Sequence, residues 1–233
     1  MVDGRRVLER WTDEQVWEIP LTLDEQEENA FCRKATRVFY PRGHVIFAPG
    51  DEAGRVYFIH TGVVKICWLS PRGHAVTMAI RYPRELFGLA EALCCLDRKC
   101  YAQALENTEC YVIRRPEFEL LLREEPDLCL KVARVLAARL RQAQLSICDF
   151  VRYQVPARLA LLLLRLAYQH GTPSKEGIEL RWSLTHQEIA FMVGASRQSV
   201  TSAFNAFKKH RLIRVERDRV QILNPQALAE WIT

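Results

Sequence analysis

The 233-residue sequence has no long hydrophobic run: its longest uninterrupted apolar stretch is Leu159–Leu164, far short of the ~20 residues a membrane-spanning helix needs. The N-terminus, MVDGRRVLERWTDEQ, has arginines with no apolar segment behind them. A secretory signal is therefore not expected, and the chain is expected to be soluble and cytoplasmic, with no membrane partner. No C-x2-C pair occurs among the eight cysteines, and in a reducing compartment a disulfide framework is not expected either. The sequence also lacks a Ser/His/Asp set, a glycine loop fit to cradle phosphate, and paired acids in a plausible cleft, so an enzyme is not expected. What is present is ordinary globular composition, 49% hydrophobic and 26% charged, which excludes disorder over most of the length.

The charge is uneven. Residues 151–233 hold twelve Lys/Arg against six Asp/Glu, a net +6 within a chain of net +5, which leaves −1 for the first 150 residues. A near-neutral front and a basic tail suit a two-domain protein whose second part meets a polyanion. A merely solvated basic surface is the alternative.

From Val38 to Ile113 the sequence is punctuated for β structure. Short β-branched and aromatic runs (45–47, 56–59, 63–66, 75–80, 110–113) alternate with turn signals at Pro41-Arg42-Gly43, Pro49-Gly50-Asp51-Glu52, Thr61-Gly62 and Ser70-Pro71-Arg72-Gly73. Closely spaced strands of this kind predict an antiparallel sandwich or roll. After Pro116 no glycine occurs up to Phe150, and the period changes. Cys129, Val132, Leu136, Leu140, Ala143, Ile147 and Phe150 follow at spacings of 3, 4, 4, 3, 4 and 3, which puts them on one stripe of a helix about 20 residues long. The near-heptad spacing suits a seam with the same helix of a second subunit; packing on its own β-domain is the alternative. Pro156 and Gly171 mark the start and end of a further helix, well buried because Leu159–Leu164 covers more than one face. Residues 171–177 are expected to form a loop.

Residues 184–212 read LTHQEIAFMVGASRQSVTSAFNAFKKHRL. Thr185 and Glu188 make a capping box, with Ile189, Met192 and Val193 on the buried face. Gly194-Ala195 turns the chain, and Ser196 caps a second helix starting at Arg197. There Val200, Ala203, Phe204 and Phe207 recur at inward spacing. The opposite face carries Gln198, Thr201, Ser202 and Asn205, with Arg197 at the tip; none is acidic. An inward apolar stripe and an outward donor-acceptor stripe are what a helix-turn-helix presents to the major groove. Arg can read guanine bidentately and Gln can read adenine. Residues 212–215 and 219–222, around Glu216-Arg217-Asp218, predict a two-stranded wing.

These segments resemble the cAMP receptor protein/fumarate-nitrate regulator (CRP/FNR) family of bacterial transcription factors over about residues 35–225. The resemblance rests on G-x-V-I-F-x-x-G-D (Gly43–Asp51), V-Y-F-I-x-x-G-x-V-K-I (Val56–Ile66), Gly88, residues 98–104, and T-H-Q-E-I-A…V-G-A-S-R-Q-S-V (Thr185–Val200). It implies an α+β chain with an N-terminal extension (1–30), a cyclic-nucleotide-binding-type antiparallel β-roll (31–115), a dimerisation helix region (116–150) and a winged helix-turn-helix (151–233). The implied seam residues are Val132, Leu136, Leu140, Ala143 and Ile147. The implied phosphate contacts are Thr185, His186, Ser196 and Ser199, with Arg197 reading guanine. Gln198 and Ser202 depart from the family's common Glu and Arg, which changes the operator expected but not DNA binding.

The sensory end departs further. Gly88 matches the family glycine, but Leu89 stands at the ribose-binding carboxylate position, and Lys99 and Cys100 are aligned with the phosphate-binding Arg-Ser pair. An ammonium lacks the bidentate fork of arginine, so cyclic AMP is not the expected effector. Cys94, Cys95, Cys100 and Cys110 are weak candidates for an iron–sulfur or thiol sensor, although the family's N-terminal cysteine trio is missing and Cys32 stands alone. Packing as small hydrophobes is the other explanation, and Cys67 and Cys129 are expected in the core. His44, His60 and His74 lie in or beside turns, outside the segment where haem-sensing relatives place a ligand, and are expected to be solvated. Iron–sulfur cluster and haem both stay open as cofactors. The expectation is a homodimeric, effector-responsive regulator of palindromic operators, with double-stranded DNA as partner and RNA polymerase a further one if it activates. The competing class is a cyclic-nucleotide regulatory module that does not use its helix-turn-helix on DNA.

Overall fold

A computed structural model describes residues 22–69, 75–181, 184–216 and 219–232. Residues 1–21 of the expected extension, the Ser70–Gly73 turn, His74 and the Arg217-Asp218 wing tip lie outside the described residues. The chain divides into two compact units, one running to Ala138 and the other from Arg139.

The first unit is an antiparallel roll of two four-stranded sheets. Strands β1 (Thr36–Tyr40), β3 (Arg55–Thr61), β6 (Leu86–Phe87) and β8 (Thr108–Arg114) form one, in the order β1-β8-β3-β6. Strands β2 (Val45–Phe47), β4 (Val64–Leu69), β5 (Ala75–Arg81) and β7 (Tyr101–Ala104) form the other, in the order β2-β7-β4-β5. Strand β3 shows why the roll has two cores. Side chains alternate across a strand, and here both faces are buried. Tyr57 and Ile59 join Phe47, Val64, Phe87, Ala102 and Cys110 in one cluster. Val56 and Phe58 join the other, beneath helices α1 (Glu25–Lys34), α2 (Leu89–Cys94) and α3 (Arg115–Glu124). Helix α1 is closed at its start by a capping box in which Asp24 and Glu27 each accept the other's backbone N–H at 2.8 Å. Its Ala30 and Phe31, and Leu23 before it, are buried in this second core. The roll therefore begins well before residue 31, contrary to an extension running to residue 30: a short amphipathic helix packs wherever its two apolar side chains find a core.

Helix α4 (Pro126–Arg152) is 27 residues long. Leu128, Val132, Val135 and Ala138 are its buried residues, and Leu128 and Val132 are part of the roll's core with Leu136 against it. Val132, expected at a subunit seam, is 3% exposed within its own unit. The buried stripe of α4 is rotated from the one that spacing predicts, because it runs through Leu128, Val132, Val135 and Ala138. Cys129, expected in the core, is exposed for the same reason. Further along, Leu140 and Ile147 are each 63% exposed and Ala143 is exposed.

The second unit joins the rest of α4 to α5 (Val155–His170), α6 (His186–Met192), α7 (Arg197–Lys209), α8 (Pro225–Ala229) and one sheet. The Arg165 guanidinium pairs with Asp149 at 2.6 Å, tying α5 to the last turns of α4. The wing is β11 (Ile213–Glu216) and β12 (Arg219–Ile222), but not a free hairpin: the sheet order is β11-β12-β10-β9. The expected 171–177 loop contributes β9 (Thr172–Ser174), paired with β10 (Gly177–Arg181). Strand β9 contains a proline and is fully exposed, as an edge strand can be, so it carried no alternation to read.

Candidate nucleic-acid interface and effector cradle

The helix-turn-helix is built by short-range chemistry. Thr185 Oγ1 accepts the Glu188 N–H at 3.2 Å, and Glu188 accepts the Thr185 N–H at 2.8 Å. Ser196 Oγ accepts the Ser199 N–H at 3.0 Å and lies 2.8 Å from Ser199 Oγ. Each cap satisfies backbone donors that the first helical turn leaves open. Between the helices Gly194 takes φ 60°, and a Cβ there would stand 3.0 Å from the Phe150 ring, so only glycine turns the chain without strain. Arg158 spans the same corner, donating to Gly194 O and Phe150 O. Phe150, expected on the seam stripe, is thus partly engaged by the turn.

Val200, Ala203, Phe204 and Phe207 are buried as the spacing required. Arg197, Gln198, Ser199, Ser202 and Asn205 are exposed. Gln198, Ser199 and Ser202 line an open cavity of 540 Å³ beside Gln154, Val155 and Pro156 at the start of α5. One member of the expected DNA-facing set, Thr201, is turned inward onto His186. Thr201 Oγ1 donates back to Arg197 O at 2.9 Å and meets His186 Nδ1 at 2.9 Å. The His186 ring stacks on Phe204 with centroids 4.9 Å apart. Thr201 is therefore an anchor between α6 and α7, not a base-facing residue. Its i−4 hydrogen bond, common for threonine within a helix, was overlooked in the spacing.

In the roll, Gly88 precedes α2 as its N-cap with φ 74°, and Leu89 is buried in the core with Phe31, Phe58 and Phe118. Lys99 is exposed and Cys100 half-buried, with its thiol 3.9 Å from Glu91 Oε1. The buried cation is the preceding residue. Arg98, 1% exposed, donates from Nη1 to Gly88 O at 2.9 Å and from Nη2 to Arg55 O at 2.5 Å. It also pairs with Glu91 at 3.4 Å and lies 4.2 Å over the Phe47 ring. A Cβ on Gly88 would meet Arg98 Nη1 at 3.1 Å. Sequence reasoning missed Arg98 because an arginine beside a lysine reads as solvated; its signal was its place beside Gly88 in the resemblance.

Cys110 is 0% exposed in the roll core, and burial pushes its thiol up to about 12. Burial first, then Glu91, raises that of Cys100 to about 11. Cys94 and Cys95 are exposed. A thiolate cluster needs deprotonated, convergent sulfurs. Cys110 does not belong to such a set, and among the described residues no group of three or more His, Cys, Asp or Glu is placed to hold a metal. His44 is exposed. His60, expected to be solvated, is half-buried: it lies 3.7 Å from Glu28 and edge-on to Tyr111.

Two family models match: a cyclic nucleotide-binding domain over residues 37–125 and a Crp-like helix-turn-helix domain over 157–231. A CRP-like cAMP-activated global transcriptional regulator of Mycobacterium tuberculosis (strain ATCC 25618 / H37Rv) is 32% identical over 200 residues, 86% of this chain and 89% of that one. The chain belongs to the CRP/FNR family. A global nitrogen regulator of Synechocystis sp. is 30% identical, with 91% of this chain and 98% of that one covered. Among solved structures, a mutant of CooA from Carboxydothermus hydrogenoformans superposes with a TM-score of 0.73 at 26% identity, covering 87% of this chain and 89% of that chain. The protein is accordingly a CRP/FNR-type, effector-responsive, DNA-binding transcription regulator. Its relatives are regulators, not enzymes, and CRP-family regulators bind DNA and act as dimers. Among the described residues no helix is long and apolar enough to cross a membrane.

Proposed function

We propose that this CRP/FNR regulator works in the cytoplasm as a homodimer that reads palindromic operators through α7. The observation that carries this is the capped helix start that projects Arg197 from an exposed face of Gln198, Ser202 and Asn205 with no acidic residue. Arg197 is assigned to guanine and Gln198 to adenine. Thr185, His186, Ser196 and Ser199 are assigned to phosphate oxygens, which position the helix without reading sequence. The subunit seam is assigned to the open face of α4, centred on Leu140, Ala143 and Ile147. If the regulator activates genes, RNA polymerase is the further partner.

The effector is read in the roll at Gly88–Cys100, and cyclic AMP does not fit there. Leu89 places a buried aliphatic side chain where a ribose would need a carboxylate, and both terminal nitrogens of Arg98 are already held by carbonyl oxygens and Glu91. Selection of bound fragments from a random-sequence duplex pool tests the function. A two-fold symmetric site with half-site centres about 34 Å apart is expected; recovery of no common sequence would overturn it.

A further inference from the structure

The contact between His186 and Thr201 fixes more than the angle between α6 and α7. The Thr201 hydroxyl oxygen lies 2.9 Å from Arg197 O and 2.9 Å from His186 Nδ1. A hydroxyl has one proton to give, and a carbonyl oxygen only accepts. If Nδ1 carried a lone pair, it and Arg197 O would compete for that one proton. Every contact is satisfied when Thr201 donates to Arg197 O and Nδ1–H donates to Thr201. The neutral imidazole then keeps its proton on Nδ1 and its lone pair on Nε2. A DNA phosphate oxygen is also only an acceptor, so neutral His186 has nothing to offer it.

We infer that His186 takes up a proton at Nε2 when the helix-turn-helix closes on a DNA phosphate, so that operator binding by this regulator is proton-linked. The inference rests on the phosphate role proposed for His186 above. The proton comes from solvent and returns to it on dissociation; no bond to carbon or oxygen is made or broken. The surroundings set the sign. Burial first, then the positive charges of Lys208 and Arg197 on α7, hold the imidazolium below its ordinary value in free protein. On its own helix Glu188 is folded back onto Thr185 N and Oγ1. A phosphate at Nε2 reverses the balance by favouring the charged ring. Between the lowered free value and the raised bound value, affinity falls as pH rises. Above both values the proton contributes nothing.

The test uses the full-length protein. Imidazole 15N NMR of free protein reads the tautomer, with the neutral ring expected to carry its proton on Nδ1. Fluorescence anisotropy then follows binding to a labelled duplex from the random-pool selection and to a mixed-sequence duplex, at constant ionic strength between about pH 5.5 and 8.5. For the wild type, affinity for both duplexes should fall with pH by up to about tenfold per unit for each His186 engaged. His186→Asn keeps a side-chain donor near Thr201, and His186→Gln places one near the Nε2 position; both should bind with that component of the slope missing. A wild-type slope equal to that of the variants, or a neutral ring protonated on Nε2, would overturn the inference. Failure of wild-type protein to bind either duplex at any pH would instead overturn the DNA-binding role itself, and the inference with it.

Discussion

Replacing Leu140 with glutamate separates a subunit seam from an ordinary helix surface. In the single chain Leu140 is 63% exposed, so a polar side chain there should change folding stability by no more than about 0.5 kcal/mol. In a dimer closed along this face the same side chain is removed from water. Fully burying a leucine contributes about 1.5–3 kcal/mol, so burying the exposed two-thirds is worth about 1–2 kcal/mol per copy, or about 2–4 kcal/mol for the symmetric pair. That alone weakens the dimer by about 30- to 1,000-fold. Two carboxylates facing each other in an apolar seam add several kcal/mol more. Sedimentation velocity over a concentration series should show Leu140→Glu as a folded monomer beside a dimeric wild type, with a thermal midpoint lowered only by the lost association and no longer dependent on protein concentration. It should also lose operator affinity, because one wing cannot span two half-sites. Leu136 is a poorer choice because it packs on the roll's core. A Leu140→Glu variant that stays dimeric at wild-type concentrations would refute the placement of the seam.

Gly88→Ala forces a side chain into a left-handed backbone at φ 74° and against Arg98 and Tyr57, and should cost about 1–3 kcal/mol in urea unfolding; an unchanged midpoint would mean that Arg98 is not held at Gly88. Isothermal titration with cyclic AMP should give no saturable heat, and a micromolar dissociation constant would contradict the account of Leu89 and Arg98. Alkylation with iodoacetamide at neutral pH should label the exposed Cys94, Cys95, Cys129 and Cys148 first. Cys100 and Cys110, raised by burial to about 11 and about 12, stay protonated and should be labelled only on unfolding; fast native labelling of Cys110 would contradict its place in the core.

The helix-turn-helix was legible because its determinants are local. Caps at Thr185 and Ser196, a turn at Gly194 and an i, i+3, i+4, i+7 stripe at Val200, Ala203, Phe204 and Phe207 lie within 24 residues, where backbone chemistry outweighs distant packing. Strands β2 to β5 and β8 were legible for the same reason. Three features were not. Periodicity shows that α4 has an apolar face but not which neighbour covers it, so Val132 was assigned to a partner when its own roll covers it. Arg98 is buried through contacts with Gly88, Arg55 and Phe47, the last two of them more than 40 positions away, and no spacing rule anticipates that. Thr201 has the polarity of a base-reading residue, but its orientation is set by Arg197 O and His186. Composition places a residue on a face; only neighbours decide what it does there.

Arg197→Ala decides whether α7 reads DNA bases from its N-terminal tip. Removing a bidentate base contact should cost about 1–3 kcal/mol on a selected operator, about 5- to 150-fold in affinity, with little change on mixed-sequence DNA at the same salt concentration. Anisotropy titrations of wild type and variant against both duplexes give the four constants needed. The loss should be confined to the operator. Equal losses on both duplexes would mean that Arg197 touches only phosphate, and the assignment of the reading tip would be wrong.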